Sequence, residues 1–203
     1  MNVGIPLRGG WIEVICGSMF SGKSEELIKR LRRARIARQN VQAFKPRLDD
    51  RYGDGGAICS HTMQEVPCEL VENAPHILQL LKADTQVVGI DEVQFLGPEV
   101  VQVAEELATR GIRVICAGLD QDYRGIPWHP MPELLARAEY VEKTHAICVI
   151  CGAPATRTQR KISGESRVLI GSQDLYEARC RACHTVPDET GEQTVIFHDD
   201  PLG

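Results

Sequence analysis

Apolar and polar positions follow two rhythms along the first two thirds of the chain. Trp11-Ile12-Glu13-Val14-Ile15-Cys16, Val41-Gln42-Ala43-Phe44, Gln86-Val87-Val88-Gly89-Ile90-Asp91 and Arg113-Val114-Ile115-Cys116-Ala117 are short, nearly unbroken apolar runs. Runs of this length, rich in Val and Ile, predict buried strands. Between them, Ala74 to Leu81 and Pro98 to Arg110 carry apolar residues at helical spacing, the second with a proline near its start. A further helix is predicted from Glu25, because Leu27, Ile28, Leu31 and Ala34 recur on one face. Its basic run from Lys29 to Arg38 then reads as the solvated face of that helix rather than a nucleic-acid patch. Strands alternating with helices imply an α/β fold with a mostly parallel sheet flanked by helices. The stretches Pro46 to Cys59 and Leu119 to Pro132, rich in Gly, Pro and Asp, read as mobile connections. From about Lys143 the alternation stops and a different module begins. The tail after Pro187 is polar and acidic, with Val195-Ile196-Phe197 its one apolar cluster.

The turn after the first predicted strand carries chemistry. Residues Gly17-Ser18-Met19-Phe20-Ser21-Gly22-Lys23-Ser24 form a complete G-x-x-x-x-G-K-S loop between a strand and a helix. The glycines let backbone N–H groups point inward at an anion, Lys23 reaches the β- and γ-phosphates, and the Ser24 hydroxyl is placed to hold Mg²⁺. The following helix adds its positive N-terminal end. Such a chain binds a nucleoside triphosphate. The third predicted strand ends in Asp91-Glu92. Asp91 is the expected partner of Ser24 beside the metal, and Glu92 a candidate base.

Composition adds limits. The 203 residues are 43% hydrophobic and 25% charged, with a net charge of −5 that argues against a general nucleic-acid binder. No apolar run is long enough to span a bilayer and no secretory signal opens the chain, so a cytoplasmic protein is expected. Eight cysteines are therefore not read as disulfides. Cys16, Cys59, Cys68 and Cys116 are scattered and read as small buried hydrophobes. Cys148-x-x-Cys151 and Cys180-x-x-Cys183 offer four thiolates suited to tetrahedral structural zinc. A redox dithiol competes weakly, because it calls for one C-x-x-C beside a βαβ unit. His184 adjoins Cys183 and is an alternative fourth ligand, though the C-x-x-C register favours Cys183. There is no G-x-S-x-G, H-E-x-x-H or G-x-G-x-x-G signature.

Phosphate loop, strand-terminal Asp-Glu and paired cysteines together resemble the zinc-containing, type II thymidine kinases. The likeness runs from about Gly10 to Cys183. It rests on Gly17 to Ser24, Asp91-Glu92-Val93-Gln94-Phe95, Gly118-Leu119-Asp120-Gln121-Asp122-Tyr123 and Tyr176-Glu177-Ala178-Arg179-Cys180-Arg181-Ala182-Cys183. It implies a RecA-like phosphate-loop NTPase domain over residues 1–143, a small zinc-binding lasso over 144–186, and a polar tail over 187–203. It also implies transfer of the γ-phosphate of ATP to the 5′-hydroxyl of thymidine or deoxyuridine, with Glu92 as general base. The ATP-binding group would be Gly17, Ser18, Met19, Phe20, Ser21, Gly22, Lys23, Ser24, Asp91 and Gln94. Met19, Phe95, Leu119, Tyr123, Thr158, Leu169 and Tyr176 would line the thymidine pocket, and Arg160 stands at a family position without an assigned role. Zinc held by Cys148, Cys151, Cys180 and Cys183, Mg²⁺ held by Ser24 and Asp91, and a homotetramer complete the implied set. Ser172 stands where the family often carries Gly or Ala. The segment from Gly152 to Arg179 is expected to act as a lid, since a kinase must keep water from the γ-phosphate. The rival reading is a phosphate-loop ATPase whose zinc module binds nucleic acid or a protein.

Overall fold

The computed structural model describes residues 9–47, 57–59, 65–162, 175–187 and 193–195. In chain order the elements are β1 (Trp11–Gly17), α1 (Lys23–Ile36), β2 (Val41–Pro46), β3 (Ala57–Cys59), β4 (Glu65–Pro67), β5 (Glu69–Val71), α2 (Ala74–Leu80), β6 (Val87–Ile90), a 3-10 turn (Val93–Phe95), α3 (Glu99–Thr109), β7 (Arg113–Leu119), α4 (Met131–Arg137) and β8 (Tyr140–Thr144). The short strands β9 (Ala146–Ile147), β10 (Pro154–Ala155), β11 (Arg157–Arg160), β12 (Tyr176–Arg179), β13 (Thr185–Pro187) and β14 (Gln193–Val195) follow. Six strands form one sheet in the order β5-β2-β6-β7-β1-β8, every neighbouring pair parallel.

Successive strand residues leave the sheet on opposite faces, and both faces are covered. Ile12, Val14 and Cys16 of β1, Val88 and Ile90 of β6, and Val114 and Cys116 of β7 pack with Ile77 of α2, Leu107 of α3 and Met131 of α4. Their neighbours Ile15, Val87, Ile115 and Ala117 meet Leu27, Ile28 and Leu31 of α1 on the other face. This explains why these strands read as unbroken apolar runs. Each fully buried aliphatic side chain of α1 contributes roughly 1.5–3 kcal/mol, so its apolar stripe is what fixes the helix on the sheet. Lys29, Arg32, Arg33 and Arg35 face solvent, as the helical pattern requires.

Glu13 breaks the apolar rule of β1. It is 5% exposed and is surrounded by donors: Trp11 Nε1 at 2.8 Å, Arg113 Nε at 2.6 Å and Arg30 Nη1 at 2.6 Å. Arg30 also reaches Glu26 in α1 and Glu142 in β8, so one guanidinium ties the helix to two strands. Burial opposes ionisation of Glu13, but the bonds from Arg113, Trp11 and Arg30 outweigh it and hold the carboxyl below its ordinary range.

The predicted helices form within a residue or two of their expected limits, with Pro98 capping α3 and the Asn73 side chain accepting the His76 N–H at the start of α2. Three elements of the α/β layer escape the pattern. β5 is three residues long. β8 is an edge strand whose residues are mostly exposed, so it carries no apolar run. α4 begins inside the proline-rich stretch read as a connection. That stretch is itself built of defined turns: Asp122 Oδ1 accepts the N–H groups of Arg124 and Ile126, each at 3.0 Å, and Trp128 N–H donates to Asp120 O at 3.0 Å. Of the scattered cysteines, Cys16 and Cys116 are buried and Cys68 is half-buried. The Cys59 side chain and most of the connection from Pro46 to Cys59 lie outside the described residues.

Replacing Glu13 by Gln leaves two half-buried arginines short of a counter-charge and is expected to cost roughly 3 kcal/mol of stability at neutral pH. The folded carboxyl titrates below the unfolded value, so its contribution is complete above that value and is lost as pH falls through the folded pKa. Urea denaturation of both proteins should therefore show a gap at pH 7 that closes below about pH 4.5. A gap independent of pH would place the effect in packing.

Candidate functional site

The loop from Gly17 to Ser24 joins the carboxyl end of β1 to the first turn of α1, where parallel sheets present ligands. Gly22 precedes α1 with φ 82° and ψ 18°, a left-handed conformation that suits glycine. Ser21 Oγ donates to Ser18 O at 2.8 Å and shares a hydrogen bond of the same length with Thr144 Oγ1 at the end of β8. Lys23 is 9% exposed, and its Nζ donates to Ser18 O at 2.7 Å. Burial pulls its pKa down, opposed by the charges of Glu92, Asp91 and Asp120. The loop thus encloses a buried cation facing carboxylates that extend from the ends of β6 and β7.

Ser24 Oγ donates to Asp91 Oδ2 at 3.1 Å and lies 3.4 Å from Oδ1. Asp91 is 5% exposed; burial first and the neighbouring Glu92 second push its pKa up to about 7, against the Ser24 hydrogen bond. A buried carboxylate so disfavoured beside a hydroxyl suits a divalent cation, which would reverse that cost. Glu92 has φ 49° and ψ 40°, left-handed for a residue with a side chain. This turn swings the chain out of β6, so that Asp91 and Glu92 both reach the charge field of Lys23. Gln94 Nε2 donates to Glu92 Oε2 at 2.6 Å, and its Oε1 accepts the Leu119 N–H at 3.1 Å.

The remaining predicted residues that the structure describes come from five segments. Met19 N–H donates to Thr158 Oγ1 of β11 at 3.0 Å, and Ser18 Oγ lies 3.4 Å from Ala155 O, so the cysteine module rests on the phosphate loop. Arg160 is fully buried; its guanidinium lies 3.7 Å from the Tyr123 ring centre and 5.8 Å from that of Tyr176, whose hydroxyl accepts from Nη2 at 3.3 Å. Phe95 meets Trp128 edge to face, with ring centres 5.4 Å apart. Leu119 ends β7. Leu169 and Ser172 lie outside the described residues, as does the central part of the expected lid, 163–174.

Sγ atoms of Cys148, Cys151, Cys180 and Cys183 all lie within 4.8 Å of one another, with Cys151 and Cys180 at 3.6 Å. A tetrahedral ion with metal–sulfur bonds of about 2.3 Å places its ligands about 3.8 Å apart, so this group could hold a metal ion. Burial opposes ionisation of Cys148, but N–H groups of Cys180, Cys151 and Ile150 turned toward its sulfur hold the thiol at about 6. His184 points elsewhere: it is 1% exposed, and its Nε2 bonds Tyr123 O at 2.9 Å. The fourth position of the group is therefore Cys183.

Sequence reasoning gave no such role to several residues that hold this arrangement. Asp120 pairs with Lys143 at 2.7 Å, and Arg157 bonds Gln121, joining the turn after β7 to β8 and to the cysteine module. Trp128 and His184 complete the same seam. No spacing signal marks them, since each acts through a partner distant in sequence. Among the described residues, no helix is long and apolar enough to cross a membrane.

A family model described as thymidine kinase matches residues 10–184. A thymidine kinase of Bdellovibrio bacteriovorus is 56% identical over 172 residues, 85% of this chain and 84% of that protein. One from a Rhodothermus species is 54% identical over 186 residues, 92% and 86% of the two chains. Among solved structures, domain III of the Thermotoga maritima replication initiation protein DnaA covers 69% of this chain and 56% of its own, with a TM-score of 0.40 and 16% identity.

Replacing Cys180 by Ser should release bound metal from the purified protein, whereas replacing His184 by Gln should leave the metal content unchanged. Elemental analysis of both variants reads this directly. Metal loss from the His184 variant would return that residue to the ligand set.

Proposed function

The chain belongs to the thymidine kinase family, and from that premise we propose how its residues carry out the reaction. The substrates are ATP and thymidine. The nucleoside 5′-oxygen attacks the γ-phosphorus as Glu92 takes its proton, the bond to the β,γ-bridging oxygen breaks, and ADP leaves. The observation that carries this reading is the convergence of buried Lys23, the Ser24–Asp91 pair and Glu92 at the carboxyl ends of β1 and β6, the two strands that flank β7.

Phosphoryl transfer needs positioning and charge neutralisation more than covalent chemistry. Lys23 is already desolvated, so it loses little hydration when it turns from Ser18 O to a phosphate oxygen. The loop from Gly17 to Ser24 supplies inward N–H groups at the start of α1. Ser24 and Asp91 would hold Mg²⁺, which when bound neutralises charge on the β- and γ-phosphates. Met19, Phe95, Leu119, Tyr123, Thr158, Leu169 and Tyr176 form the proposed thymidine pocket. Its aromatic and apolar side chains suit a pyrimidine with a methyl group. That methyl is worth only about 1–3 kcal/mol, so deoxyuridine is an expected second substrate.

In this reading the cysteine group holds structural zinc and closes residues 144–186 into a lasso beside the nucleotide domain of residues 1–143. The bonds from Met19 N–H to Thr158 Oγ1 and from His184 Nε2 to Tyr123 O support that role, because they fasten the lasso to the phosphate loop and to the turn after β7. A reducing cytoplasm suits both ATP and a thiolate site. The homotetramer is carried forward from the family resemblance. The rival ATPase reading finds no support in relatives that are thymidine kinases over most of their length.

Glu92→Gln tests the mechanism. Turnover should fall by roughly 10²–10⁴-fold, the range for a lost general base, while ATP affinity is retained. Turnover within a few-fold of the unaltered protein would remove Glu92 from that role.

A further inference from the structure

Gln94 occupies the short turn directly after β6 and is 4% exposed. Both ends of its amide are engaged by protein: Nε2 by Glu92 Oε2 at 2.6 Å and Oε1 by the Leu119 N–H at 3.1 Å. We propose that Gln94 is a positioning residue for the reaction, bracing the Glu92 carboxylate against the end of β7, rather than a contact to ATP. The inference rests on reading Glu92 as the base.

Glu92 needs such a brace. Its backbone is left-handed, a conformation that is strained for a residue with a Cβ and persists where surrounding structure over-determines it. A carboxylate carried on so tight a turn has several rotamers open to it unless a donor selects one. Gln94 provides that donor, only two residues along the chain. It is itself held from the other side, because the Leu119 amide belongs to the last residue of β7, an inner strand of the sheet. The span from Glu92 to Leu119 therefore runs through a buried amide.

β7 is shaped to admit this contact. A Cβ at Gly118 would stand 2.5 Å from Gln94 Oε1 and 2.8 Å from Val93 Cγ1, both inside contact distance. Glycine there lets the amide lie flat against the strand. Leu119 is also a wall of the proposed thymidine pocket, so the residue that anchors Gln94 borders the base while Gln94 orients the carboxylate. Base recognition and proton acceptance are thereby built on one continuous strand–turn contact.

Two variants separate a positioning role from a structural one. Gln94→Met keeps the side-chain length and removes both hydrogen bonds. Gln94→Glu keeps an acceptor for Leu119 and sets a carboxylate against Glu92. Each should lower kcat by roughly 10–10²-fold, the scale of a small displacement of a reacting group, with KM for ATP and thymidine changed by no more than about twofold. Combined with Glu92→Gln, neither should cause much further loss, because residues acting as one unit are not additive. Losses of equal size in both backgrounds, an unchanged kcat, or a raised KM for ATP at constant kcat would each overturn the proposal. If Glu92→Gln alone keeps normal turnover, the base assignment fails first and Gln94 loses its role with it. If Gln94→Met does not fold, Gln94→Glu carries the same test.

Discussion

Lys23 stands nearly out of water, and the site is arranged around the cost of keeping it there. An ammonium group removed from water is expensive unless charges and hydrogen-bond acceptors surround it. Here Ser18 O accepts from it directly, and Asp91, Glu92 and Asp120 supply the opposing charge. These carboxylates come from the ends of two different strands, so the balance exists only when β1, β6 and β7 lie parallel and side by side. The parallel sheet and the helix α1 packed across it are thus conditions for the charge cluster. The cluster in turn explains why acidic residues can be buried at the strand ends.

The same condition explains the cysteine module. A phosphate loop holding a desolvated lysine must exchange its own carbonyl for a phosphate without opening to solvent. Thr158 and Ala155 approach the loop at Met19 and Ser18, and Arg157 and His184 approach the turn after β7. Four cysteines drawn together at the root of β9 and β12 give these strands a fixed origin. In the proposed reading the module is the second wall of a cleft whose first wall is the sheet.

Much of this was legible in the sequence because the signals were local. The central strands are buried on both faces and so read as apolar runs, and the phosphate loop carries its mechanism in eight consecutive residues. Paired cysteines announce a ligand group by spacing alone. What stayed hidden depends on distant partners. β8 is polar because it is an edge, and it becomes recognisable only when Glu142 meets Arg30 and Thr144 meets Ser21. Asp120 reads as one more acid in a loop until Lys143 is found beside it. Nothing in the sequence shows that the Gln94 amide joins Glu92 to Leu119. The C-x-x-C register favours Cys183 over His184 without excluding the histidine, and only the structure shows that His184 Nε2 is engaged by the Tyr123 carbonyl.

The central claim is that this cleft moves a phosphoryl group from nucleotide to nucleoside and keeps water out. The most direct measurement follows γ-labelled ATP with Mg²⁺ and a panel of nucleosides, counting label in product alongside ADP formed. The account predicts label in thymidine 5′-monophosphate in amounts equal to the ADP, with ADP formation near background when nucleoside is omitted. ADP formation at the same rate with every nucleoside and with none, the label appearing as inorganic phosphate, would contradict it.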